Sequence, residues 1–388
     1  MGVISGSKLI KHEGRTFEVC WNDEPNDPEW DDFLVSVPDG HHEQTSFWGQ
    51  VRARYGWEIA RYALKKNGSI VAGAQAQVRP IGRFGKLAYL TYGPCISSEE
   101  ELVVAVCLAE LKNFVSGLGV TFAVVGLPYN AGRLVQPLER SGFFRKPNRM
   151  HPHFIETTLV LDLTKQPEEI LAGMRTSTRR NIRHALKKGI TVVEGETKDI
   201  DTFRKLMLAL CERRKITPNP PQADFFYHLW KYFNPKGWIK LFIALNGQEP
   251  VSAALAFSFG GWFRVWKVGW SGQYGSLKPN EAMWWEMIQY AQRTGHRHFD
   301  FVELDPNQIK TMLAAKGTES MSENVTSFKL GFGGEIRSLP GAYCYFPNPI
   351  VRMAMRGGFL KFIDSKLIQQ LTQIYIKRSF RSNSHVSE

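Results

Sequence analysis

The sequence predicts an α/β protein of two similar units in tandem, each a mixed antiparallel and parallel sheet flanked by helices. Three observations lead there. Strand-like and helix-like stretches alternate along 388 residues, a length that suits two or three domains. Tight-turn signals separate apolar runs in both halves, "KNGS" in the first and "NGQ" and "GG" in the second, which favours antiparallel hairpins over a doubly wound parallel sheet. The halves also share an order of elements: strand, helices, a hairpin with an Asn-Gly turn, more strand, helix, strand. That order is a weak internal duplication, carried by element sequence and not by residue identity. The expected boundaries are 1–150 for the first unit and 151–333 for the second, with 334–388 returning to the first and ending in a basic helix.

Each element has a local reason. "RTFEVC" alternates as a strand does, and "DPEWDDFLVSVP" reads as a helical turn. In "TSFWGQVRARYGW", Thr45 or Ser46 caps a helix that puts Phe47, Val51 and Tyr55 on one face. "WEIARYALKKNGSIVAGAQAQVRPIG" is a hairpin, and "KLAYLTYGP" extends its sheet. A helix over 98–118 stops at Gly119; "TFAVVGLP" is a buried strand and "AGRLVQPLERSGF" a short helix. The second round opens with the strand "HFIETTLVLDL" and a helix start at "PEEILAGM". A basic helix follows to Gly189, then the strand "ITVVEG" and a helix over 198–215. "WIKLFIALNGQEPVSAALAFSFGGWFRVWKVGW" gives consecutive strands, 281–294 a helix closed by Gly295, and "HRHFDFVEL" a strand. "TSFKLGFGGEI" leads into "YCYFPNP" and a basic helical region from about residue 350.

Composition narrows the class. Lysine and arginine number 49 against 37 acids, a net charge of +12, which suits nucleic acid, nucleotide-linked substrates or an anionic membrane surface. Five scattered cysteines, without metal spacing, read as reduced thiols. The first residues lack a signal-peptide core, Gly6 breaks the myristoylation pattern, and no apolar run is long enough to span a bilayer. The expected location is the cytoplasm, with peripheral contact at the inner face of the membrane.

One stretch concentrates the charge. "MRTSTRRNIRHALKKG" holds Arg175, Arg179, Arg180, Arg183, Lys187 and Lys188 with no acid between them. If Thr178 caps this helix, its first turn combines guanidinium groups with free backbone N–H groups, a natural phosphate site. The plain alternative is a solvated cationic helix. In "GSLKPNEAMWW", Lys278 and Asn280 precede a second helix, with Asn280 as a possible cap; Pro279 removes one N–H donor from that turn. Asp300 and Glu303 flank a strand core, and either carboxylate can accept a proton. His296 with His298 and His151 with His153 form His-x-His pairs without an apparent third ligand, so no metal is expected. Trp270 and Tyr274 are candidates for the edge of a groove. No serine or cysteine nucleophile motif is present.

These stretches resemble the FemABX family, which adds amino acids from aminoacyl-tRNA to peptidoglycan precursors. The likeness rests on "QTSFWGQVRARYGW", "GSIVAGAQAQVRP", "LAYLTYGP", the basic signature, "VGWSGQYGSLKPNEAMWWEMIQYAQRTGHRHFDF" and "SFKLGFGGE", together spanning most of 40–340. It implies two tandem GNAT-like acyltransferase domains, in the compact form without a long helical arm. It also implies an aminoacyltransferase in which the amine of a diphosphate-linked sugar-peptide attacks the ester of an aminoacyl-tRNA directly. Carried over, Thr178, Arg180 and His184 line the acceptor diphosphate and Arg52 reaches it from the first domain; Arg179, Lys278 and Asn280 are further candidate substrate-binding residues. Lys329 stabilises the oxyanion. No cofactor is then required. Two readings compete: an acyl-coenzyme A-dependent N-acyltransferase of the same architecture, and a non-catalytic protein that binds polyanions or a membrane.

Overall fold

The structure, a computed structural model, describes residues 5–146, 154–314 and 324–355. The strands, in chain order, are β1 (Gly6–His12), β2 (Arg15–Asn22), β3 (Glu58–Lys66), β4 (Ser69–Pro80), β5 (Lys86–Leu90), β6 (Cys95–Ile96), β7 (Phe122–Gly126), β8 (Phe144–Arg145), β9 (Thr157–Asp162), β10 (Ile190–Glu194), β11 (Ile239–Asn246), β12 (Glu249–Phe259), β13 (Trp262–Trp270), β14 (His298–Asp300), β15 (Glu335–Ser338) and β16 (Ala342–Tyr345). The helices are α1 (Pro28–Ser36), α2 (Ser46–Ala53), α3 (Glu101–Gly117), α4 (Val135–Arg140), α5 (Pro167–Gly173), α6 (Thr176–Lys187), α7 (Ile200–Arg214), α8 (Phe225–Phe233), α9 (Pro279–Arg293), α10 (Pro306–Ala314), α11 (Val325–Leu330) and α12 (Pro349–Ala354). The described residues fall into two compact units: those within 5–23, 57–154 and 340–355 form one, and those within 24–56 and 155–339 form the other.

The first unit is built on one sheet in the order β1-β2-β3-β4-β5-β7-β16-β8, with β6 paired to β4. Its hairpin from β3 to β4 turns at Asn67 and Gly68, both at positive φ, as an Asn-Gly turn requires. β5 and β7 run parallel, connected through α3. One sheet face buries Tyr62, Leu64, Ala74, Val78 and Val125 against Val103, Cys107 and Leu111 of α3. Residues 6–12, for which the sequence analysis proposed no element, pair along β2 as an antiparallel hairpin.

The second unit has a seven-stranded sheet in the order β10-β11-β12-β13-β14-β9-β15. Both of its faces are buried, and the period of two sorts the residues between them. Phe242, Ala244, Ala254 and Ala256 face Ile182, Met283 and Ile288 from α6 and α9. Ile239, Leu241, Ile243, Leu255 and Phe257 face Val51, Phe203, Phe226 and Phe233 from α2, α7 and α8.

This packing corrects the expected boundaries. Residues 24–56 belong with the second unit, because Trp48 and Val51 of α2 fill its aromatic core and Tyr55 stacks on Phe225 at 5.2 Å. The second unit also runs to Leu339, since β15 pairs with β9 there. Thr45 is the cap of α2; its Oγ1 accepts the Trp48 N–H at 3.1 Å. "HRHFDFVEL" is a strand only over His298–Asp300, and the basic region beyond residue 355 lies outside the described residues.

Gly269 on β13 is a close-approach point: a Cβ there would sit 2.5 Å from the Met207 backbone nitrogen of α7. Gly269→Ala is expected to destabilise the protein by roughly 1–3 kcal/mol, as overpacking does. A lowered denaturation midpoint in urea is the expected measurement.

Candidate functional site

The sheet of the second unit splits. β13 and β14 pair in parallel for only three steps, ending at Arg264 opposite Asp300. Beyond that step β13 continues along β12 to Trp270, whereas residues 301–304 stay bonded to β9 through Phe301 N–H to Leu159 O and Leu304 N–H to Thr157 O. The base of the split is polar and buried. Asp300 Oδ1 accepts from Thr158 Oγ1 at 2.6 Å and from the Val302 N–H at 2.8 Å, and Oδ2 lies 3.7 Å from Arg264 Nε. Arg264 also covers the Trp262 ring at 4.6 Å.

Val302, next along the turn, has φ 58°. A β-branched residue in the left-handed region costs of order 1–2 kcal/mol and persists only where its surroundings hold it. Asp300 holds its N–H. Lys329 holds the other side: its Nζ donates to Val302 O at 3.1 Å and to Glu303 O at 2.7 Å. Asn324 Oδ1 caps α11 by accepting the Ser327 N–H at 2.9 Å, which sets Lys329 in the last turn. Desolvation pulls the Lys329 ammonium down to about 8, with Arg214 adding to the effect and Asp300 and Glu303 opposing it.

Lys267 on β13 faces the same place. Strand alternation would put Arg264 and Lys267 on opposite faces of the sheet. A bulge at this point shifts the register, so Arg264 lies opposite Phe257 and Lys267 opposite Leu255, two residues of one face. Burial lowers the pKa of Lys267, against the attraction of Glu303 and Glu43. The charge of the exposed Glu303 is felt by both Lys267 and Lys329, and Arg214 acts on Lys329. Lys267 and Arg214 were missed in the sequence, since neither stands in a motif and the bulge hides the parity of Lys267.

The structure divides the basic segment by role. α6 begins at Thr176 with Arg175 at the cap position, so Thr178 is not the cap; it is buried, with its Oγ1 against Gly331. Arg175 N–H donates to Gly331 O at 2.9 Å and its guanidinium to Ser327 O at 3.2 Å, fastening α6 to the Lys329 segment. Arg179 bonds to Leu171, Ala172 and Met174 carbonyl oxygens, closing the end of α5. Thr178 and Arg179, both expected to bind substrate, thus have structural partners within the unit. Arg180, Arg183, His184, Lys187 and Lys188 are exposed along the outer face.

Three further positions differ from expectation. Asn280 is not a cap: Lys278, at φ 60°, precedes α9, and Asn280 Oδ1 accepts from Ser252 Oγ at 2.6 Å. Lys278 is half-buried. Arg52 lies in the second unit, on α2, and not in the first domain. Trp270 carries Arg213 on its face at 4.5 Å, while the Tyr274 hydroxyl donates to Glu249 at 2.8 Å.

Other titratable groups are accounted for structurally. His296 Nε2 meets Ser258 Oγ at 2.9 Å and His298 lies over Trp262 at 4.4 Å, two separate environments; His151 and His153 are outside the described residues. His41, His42 and Glu43 bring potential metal-ligand atoms within 4.8 Å of one another. His41 Nδ1 accepts the Glu43 N–H at 3.2 Å, which leaves the proton of the neutral ring on Nε2, and nearby Arg264 disfavours added positive charge. That arrangement does not suit a cation. Burial pushes the Cys107 and Cys344 thiols up to about 12, so neither is a nucleophile at neutral pH. No helix of the described residues is long and apolar enough to cross a membrane.

Arg179→Ala is expected to lower stability by roughly 1–2 kcal/mol by stripping carbonyl groups of their donor, whereas Arg180→Ala leaves it within about 0.5 kcal/mol. Paired urea titrations distinguish the two arginines.

The comparisons with known proteins follow this geometry. The "FemAB family" model matches residues 26–141, and that of an "Acetyltransferase (GNAT) domain" matches 172–308. A Lipid II:glycine glycyltransferase of Staphylococcus aureus (strain COL) is 23% identical over 234 residues, 58% of this chain and 55% of that protein. The chain thus spans about half the length of the curated relatives it matches. The crystal structure of FemX aligns with a TM-score of 0.71 at 19% identity, covering 84% of this chain and 98% of that one. L-PGS from Bacillus licheniformis aligns at 0.51 and 12% identity, covering 88% and 98%. The first half of the chain thus matches a FemAB family model and the second a GNAT acetyltransferase model, and its fold is shared with nearly the whole of FemX.

Proposed function

We propose that the chain is an acyltransferase that forms a peptide bond on an amine of a lipid-linked peptidoglycan precursor or related cell-envelope acceptor, with aminoacyl-tRNA as donor. The observation that carries this reading is Lys329, an ammonium drawn into a desolvated position at the split of the acetyltransferase-type sheet. Attack of an amine on an ester creates an oxyanion, and a cation held in a partly dehydrated site stabilises it far more than one in water. The kinship with a Lipid II:glycine glycyltransferase supports the acceptor class.

Several features favour this reading over its rivals. Pro279 and the Ser252–Asn280 bond leave α9 a poor start for a coenzyme A pyrophosphate cradle. The outward cations of α6, Arg180, Arg183, His184 and Lys187 among them, suit the phosphates of the acceptor or of tRNA. Ile350 and Met353 stand 74% and 71% exposed on α12, which suits peripheral contact with a membrane carrying a lipid-linked acceptor. The chain then works in the cytoplasm at the inner membrane face and requires no cofactor.

The test is product mass spectrometry after incubation with aminoacyl-tRNA and a lipid-linked muropeptide. Growth of the acceptor by one aminoacyl residue is the expected result; transfer from acetyl-coenzyme A with no response to tRNA would reverse the donor assignment. Lys329→Ala is expected to lower kcat by roughly 10²–10³-fold. Because the protonated form of Lys329 is the working one, turnover should fall as pH rises through about 8. In Lys329→Arg that alkaline limb should disappear from whatever activity remains.

A further inference from the structure

An amine acceptor reaches such a site as an ammonium ion and must lose a proton before its nitrogen can attack. Resting on the acyl-transfer reading above, we infer that Glu303 binds the acceptor ammonium and accepts that proton. The carboxylates that face Lys267 or Lys329 are Asp300, Glu303 and Glu43. Asp300 is fully buried: its Oδ1 is bonded to Thr158 and the Val302 N–H, and its Oδ2 is paired with the Arg264 guanidinium at 3.7 Å, out of reach of solvent. Glu43 is half-buried in a short turn whose backbone N–H is bound to His41. Glu303 is exposed, with the Lys329 ammonium bonded to its own carbonyl oxygen at 2.7 Å.

The backbone that carries this carboxylate is fixed. Val302 at φ 58° reverses the chain one residue before Glu303, and the turn is fastened by Asp300 on one side and Lys329 on the other. The same lysine that would meet the oxyanion therefore also sets the residue that would meet the amine, so both ends of the forming C–N bond are positioned by one turn.

The proton balance is simple. The ammonium gives one proton to the Glu303 carboxylate, and from there it passes to solvent. The freed lone pair forms the C–N bond at the ester carbonyl, whose π electrons move onto oxygen. As that intermediate collapses, the ester C–O bond breaks, and the second proton of the attacking nitrogen goes to the departing hydroxyl oxygen.

Hydroxylamine separates the steps, because at neutral pH it is already largely unprotonated. Wild-type protein and Glu303→Gln are assayed with aminoacyl-tRNA against a primary-amine acceptor and against hydroxylamine, after thermal melts establish that both are folded. Glu303→Gln is expected to lose roughly 10²-fold in kcat/KM with the amine and to stay within about threefold of wild type with hydroxylamine. Equal activity of the two proteins on the amine would overturn the assignment, as would equal losses on both nucleophiles. Wild-type protein that transfers to neither nucleophile would instead overturn the acyl-transfer reading, and this inference with it.

Discussion

The buried carboxylate of Asp300 fixes the point where the second sheet opens. Two charged groups, Asp300 and Arg264, sit 3% exposed or less at the last paired step of β13 and β14. Taking both out of water is costly, and the cost is offset only while each has its partners. Thr158 and the Val302 N–H supply those of Asp300, and the Trp262 ring covers Arg264. The same bonds tie β9, β14 and the following turn together, so the geometry around Lys329 and Glu303 follows from satisfying one buried acid.

Lys329 has two demands on it. Its ammonium supports a strained turn by bonding to two carbonyl oxygens, and desolvation weakens its hold on its own proton. An ammonium has three donors, and the third can serve a reacting oxygen without dismantling the turn. Lys267, Lys329 and Arg214 raise the local positive potential, a field suited to an acyl ester's developing negative charge. Glu303 keeps that field from being uniformly repulsive toward an ammonium.

The basic helix shows how a charge run divides when it folds. Arg175 and Arg179 turn inward and donate to carbonyl oxygens at the ends of α11 and α5. Thr178 is buried at Gly331, a contact that leaves no room for a Cβ on that glycine. Arg180, Arg183, His184, Lys187 and Lys188 are left facing outward. A single run of six cations thus contains an anchor and a surface, separated only by helical phase.

The sequence by itself determined the α/β class, the hairpins, most element positions and the tandem order. Turn chemistry and periodicity are local, and both units obey them: Asn67-Gly68 and Gly189 adopt the positive φ their residue types predict. It also singled out Asp300, Glu303 and the basic segment, and its resemblance to a known family singled out Lys329. Tertiary structure alone decided that 24–56 packs in the second unit, because a helix face does not record which of two cores receives it. It alone placed Lys267 on the same sheet face as Arg264, since a one-residue bulge inverts strand parity without a sequence mark. And it alone separated Asp300 from Glu303, two acids three residues apart, by burying one and exposing the other; burial is a property of the whole fold, which no short stretch of chain contains.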